Sequence, residues 1–67
     1  MPKSKEIHRM ERGAAADRLR QIADMLDSGS LRVGSTTTTI PNDLEYELEL
    51  EENTHEGQLA VELEWRR

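Results

Sequence analysis

The chain has no cysteine and no phenylalanine, and one tyrosine and one tryptophan are its only large aromatics. Without cysteine there is no disulfide framework, no thiolate nucleophile and no cysteine-based zinc site. No stretch approaches the roughly 18 consecutive apolar residues of a membrane span. The N-terminal MPKSKEIHRM lacks the apolar run of a secretory signal. A soluble, cytoplasmic protein without membrane contact is therefore expected. Lysine is nearly missing as well, with two against seven arginines, ten glutamates and four aspartates, for a net charge of −5. Such an acidic chain lacks the clustered cations that neutralise phosphates, which argues against nucleic acid as a partner.

Core-forming residues are also scarce. Leucine, isoleucine and valine together number 13 of 67, a fraction that by composition alone borders on disorder. Excess acid, few lysines and a reduced apolar complement fit a protein of concentrated salt, where counterions screen the repulsion of an acidic surface.

What is present is placed with strict regularity. Leu44, Tyr46, Leu48 and Leu50 alternate with Glu45, Glu47, Glu49 and Glu51. Leu59, Val61, Leu63 and Trp65 alternate with Ala60, Glu62 and Glu64. Period-two alternation marks strands with one dry and one wet face, so the apolar scarcity is offset by position.

Residues 13–27, GAAADRLRQIADMLD, show the helical period. Ala15, Leu19, Ile22 and Leu26 share a face with Ala16 and Ala23. The start is weak, because Glu11 or Arg12 stands where a short hydroxyl, amide or carboxylate side chain caps best. The stop is strong, since Gly29 after Ser28 can take the left-handed conformation that ends helices. Before the helix, residues 5–10 suggest a short strand with either Ile7 or His8 and Met10 inward, and residues 1–4 are expected to fray. After it, Leu31 and Val33 open a further strand that continues through Thr36–Thr39 to Ile40. Their parity differs from that of Ile40, so a bulge or loop at Gly34-Ser35 must absorb one residue. Ile40-Pro41-Asn42-Asp43 reads as a tight reversal, and residues 52–57 connect the last two strands.

These elements give an α+β fold in two layers: one helix packed on a mainly antiparallel sheet of three or four strands, in the order β-α-β-β-β. The expected core is Leu19, Ile22, Leu26, Leu44, Tyr46, Leu48, Leu50, Leu59, Val61, Leu63 and Trp65. ADRLRQIADMLDSG, IPNDLEYELELE and LAVELEW, taken in this order and spacing, resemble the amphi-Trp domain, a family marked by amphipathic strands ending in tryptophan. The resemblance spans most of residues 10–65 and supports a single domain over 1–67. It implies no activity, cofactor or ligand. At the helix start the family usually places serine before the arginine, whereas this chain has Glu11.

The sharpest candidate surface is the glutamate face: Glu45, Glu47, Glu49, Glu62 and Glu64. Pairing Leu50 with Leu59 would set Glu47 against Glu62 and Glu45 against Glu64, like charges that repel across strands. Such a row suits counterions, a cationic partner protein or loosely held divalent cations. A flat, exposed row lacks the cleft and the separated environments that acid–base catalysis needs, so an enzyme is not expected. His8 and His55 lie in no metal-ligand motif, and no metal or other cofactor is expected. The residues point to a small protein-interaction or accessory domain of a salt-adapted cytoplasm. A monomer is expected, with edge-to-edge pairing through Thr36–Thr39 as the alternative.

Overall fold

In the computed structural model, which describes residues 3–67, one helix is followed by four strands. These are α1 (Arg12–Ser28), β1 (Ser30–Val33), β2 (Thr36–Thr39), β3 (Glu45–Glu52) and β4 (Gly57–Glu64). The α+β class is as expected, but the helix comes first and the strands form two separate antiparallel pairs, β1–β2 and β3–β4.

Helix α1 starts without help from a side chain. Glu11 is extended (φ −73°, ψ 159°) and makes no capping hydrogen bond, while its carbonyl accepts the first helical bond from Ala15 N–H at 3.0 Å. The helix ends firmly. Gly29 adopts φ +82°, its N–H donates to the Leu26 carbonyl at 3.1 Å, and Ser28 Oγ donates to the Met25 carbonyl at 2.7 Å. A left-handed glycine with these bonds satisfies carbonyls that the helix end would otherwise orphan.

The expected leading strand does not form. Residues 3–10 carry no regular structure, and Glu6 is instead gripped by Arg18 through two bonds, Nε to Oε2 at 2.8 Å and Nη2 to Oε1 at 2.9 Å. That charge-assisted fork holds the segment against the helix rather than along a strand edge. Ile7 is left 77% exposed, so neither phase of the expected strand applies. Met1 and Pro2, expected to fray, lie outside the described residues. Ser4, expected to fray with them, is half-buried, with its hydroxyl bonded to that of Thr36.

The supposed interrupted strand is a hairpin. Gly34 takes φ +58° and no other non-glycine residue near it has positive φ, the pattern of a two-residue turn with glycine first. Val33 pairs with Thr36 and Leu31 with Thr38, and Ile40 N–H donates to the Gly29 carbonyl at 2.9 Å. The turn thereby resolves the parity difference: Leu31, Val33, Thr36, Thr38 and Ile40 are all shielded while the residues between them are exposed. Ile40, at 8% exposure, is the one buried apolar side chain among the described residues. Residues 40–44 bend at Asn42 but do not reverse one strand onto the next, because β2 and β3 belong to different sheets.

The largest departure concerns the core. Helix α1 packs on β1, and neither α1 nor β1–β2 packs on β3–β4. Tyr46 (60% exposed), Leu48 (53%), Leu50 (74%), Leu59 (59%) and Val61 (47%), as well as Leu19 on the helix, are therefore not core residues within one chain. Ile22, Leu26, Leu44, Leu63 and Trp65 are half-buried, so Trp65 is a partly covered wall rather than a plug. The physical cause is the connection: β1 begins directly after Gly29, so the helix lies over the short hairpin it leads into. The chain measures 41 × 23 × 22 Å with a radius of gyration of 13.6 Å, against about 11 Å for a compact domain of this length.

Candidate functional site: the amphipathic hairpin

Hairpin β3–β4 pairs in the register expected from its alternation. Tyr46 faces Leu63, Leu48 faces Val61 and Leu50 faces Leu59 on one side; Glu45 faces Glu64 and Glu47 faces Glu62 on the other. The connecting turn fixes this register. Asn53 N–H donates to the Glu56 carbonyl at 2.9 Å, and Asn53 Oδ1 accepts from His55 N–H at 2.8 Å and Glu56 N–H at 3.1 Å. An asparagine folding its own side chain over the turn is a strong local determinant. His55 thus serves the turn through its backbone.

On the wet side the structure brings Glu45, Glu47, Glu62 and Glu64 together around a depression of about 90 Å³. Glu49 stands one step along, opposite Ala60, and Glu51 opposite Gln58, so like-charge crowding is concentrated at the Trp65 end. Glu47 pushes the Glu62 carboxyl above its usual value, chiefly by charge repulsion and then through a shared hydrogen bond, and Glu64 and Glu49 add smaller repulsions. Among the described residues, the ion pairs are Glu6 with Arg18 and His8 and Asp17 with Arg20, none of them on this face. No group of three or more histidine, aspartate or glutamate side chains among the described residues is arranged to hold a metal ion.

On the dry side the apolar rows of both strands form one stripe without a covering layer. Beside its end, Trp65 walls an open cleft of about 410 Å³ with Asp43, Leu44, Glu45, Glu64 and Arg66. Alternation does not reveal this cleft, because Asp43, Leu44, Trp65 and Arg66 all lie outside the strands. Arg67, just past β4, turns away from the acidic face. Its Nη2 instead donates to Thr38 Oγ1 and, at 2.7 Å, to the Thr39 carbonyl. Among the described residues these are the side-chain hydrogen bonds that join β3–β4 to the rest of the chain. Strand β2 is an edge strand, as expected for the threonine run.

Together these features define a small α+β domain whose distinguishing element is a free-standing hairpin, apolar on one face and glutamate-lined on the other. The chain belongs to the Amphi-Trp domain family, whose model matches residues 1–67. Neither the curated proteins nor the solved structures contain a significant match to it. No helix among the described residues is long and apolar enough to cross a membrane.

Proposed function

We propose that this chain is a non-enzymatic protein-interaction domain of a salt-adapted cytoplasm, and that β3–β4 is its docking element. One observation carries the reading: five large apolar side chains in register on that hairpin are each about half or more exposed. A contiguous apolar patch of the order of 300–600 Å² is about the largest a monomer exposes, and patches of that kind mark interaction sites. The glutamate face supports the same reading by keeping an exposed apolar hairpin from indiscriminate association.

A second reading, loose binding of divalent cations at the glutamate face, is supported by Glu45, Glu47, Glu62 and Glu64 meeting around one depression. One set of variants separates the two. The paired change Leu48→Ser and Val61→Ser should abolish capture of the partner in molar salt, while Glu47→Gln with Glu62→Gln should leave it intact. Partner capture unaffected by the serine pair, together with magnesium-induced amide shifts confined to residues 45–64 that the glutamine pair removes, would replace the first reading by the second.

A further inference from the structure

We infer that the occupant of the apolar hairpin face is a second copy of this chain, docked face to face about a two-fold axis near the Leu48–Val61 pair. The inference rests on the interaction-domain reading and names its partner.

Surface area makes the first case. The described chain exposes 6490 Å², whereas a compact monomer of its 7.7 kDa mass exposes about 4,300 Å². The excess, roughly 2,000 Å² per chain, lies in the range each subunit covers in an obligate dimer. Extension of the molecule, rather than roughness, produces it: the two hairpin units meet chiefly through Arg67.

Self-complementarity makes the second. An isologous interface needs a patch that fits itself. Tyr46, Leu48 and Leu50 on β3 lie beside Leu63, Val61 and Leu59 on β4, so a two-fold axis at the stripe's centre sets apolar residues against apolar residues along its length. No charged side chain interrupts the stripe.

Charge selects the geometry. Adding a second copy at the hairpin's edge would extend the glutamate ladder sideways at a strand spacing of about 4.8 Å. Stacking the dry faces at about 10 Å sends all the glutamates outward on opposite sides. At molar salt, with a screening length of about 3 Å, those two acidic layers scarcely interact. Face-to-face docking therefore gains the apolar burial without adding like-charge neighbours.

The test measures mass and contact on the wild-type chain in molar salt. Sedimentation equilibrium should give twice the single-chain mass. Isotope-filtered NMR on mixed labelled and unlabelled protein should show contacts between Leu48 and Val61 methyl groups of different copies. Leu48→Glu should halve the mass while the circular dichroism of α1 persists. Because the chain lacks cysteine, Leu48→Cys provides a second probe: a short bis-maleimide able to span the gap between the stacked faces should link two copies even if Leu48→Glu unfolds the hairpin. A wild-type monomer at near-millimolar concentration with Leu48 and Val61 open to a soluble paramagnetic probe would overturn the second-copy inference and leave the interaction reading standing. A monomer with those methyls shielded by its own helix would overturn both.

Discussion

At the residue scale, Glu62 records the cost of the hairpin's design. Its folded carboxyl is raised by Glu47 opposite, so the folded hairpin binds more protons than the unfolded chain at pH values just above the usual carboxylate range. Stability linked to that group is greatest at low pH and is lost as pH rises through the raised value. Glu6 works in the opposite sense. Its hydrogen bond with Arg18 lowers its carboxyl, so the stability it lends is present above the ordinary value and is lost as pH falls through the lowered one. Acidification from neutral should therefore first raise the protection of the Leu48 and Val61 amides, measured against their intrinsic exchange rates at each pH, and further acidification should release the residue 3–10 segment. Glu62→Gln should reduce the first effect and leave the second. Equal protection of the hairpin at neutral and mildly acidic pH would remove Glu62 from this account.

At the element scale, legibility followed the range of the determinants. The helix was readable to within a residue at each end because its period and its Gly29 stop are local. The β3–β4 register, including the Glu47–Glu62 opposition, was readable because alternation and a short connection leave little freedom. The break at Gly34-Ser35 was legible from parity, but whether it was a bulge within one strand or a loop between two was not, because both produce the same parity change. The leading strand failed because Glu6 has a partner on the helix, 12 residues away, which residues 5–10 alone cannot disclose. The weak helix start was legible and is testable. Since Glu11 makes no capping bond, Glu11→Ser should stabilise the domain by about 0.5–1 kcal/mol. That corresponds to a rise in melting temperature of about 2–8 °C for a domain of this size. An unchanged or lowered midpoint would mean that the Glu11 charge at the helix N-terminus compensates for the absent cap.

At the scale of the whole molecule, the missing information was what covers the dry face. Alternation establishes that Tyr46, Leu48, Leu50, Leu59 and Val61 share a side; it does not say whether their cover belongs to the same chain. The expectation that α1 supplies it fails because α1 is engaged with β1. Hairpin docking and the acidic surface are then two halves of one balance. Apolar contact between copies favours assembly, while a net charge of −5 on each chain opposes it. Repulsion between neighbouring glutamates of the ladder, about 5 Å apart across the strands, is felt when the screening length is about 10 Å, at 0.1 M salt, and is much reduced at 1 M, where it is about 3 Å. On the proposed salt adaptation, thermal melts followed by Trp65 fluorescence should shift upward from dilute to molar salt. If two copies share the hairpin face, the midpoint in molar salt should also rise with protein concentration, because a dimer is stabilised by mass action. Lysine in place of Glu47 should shrink the salt effect, since it converts a repulsive cross-strand pair with Glu62 into an attractive one. A midpoint independent of salt would separate the acidic surface from any role in stability. A salt-dependent midpoint that ignores protein concentration would place that role within the single chain.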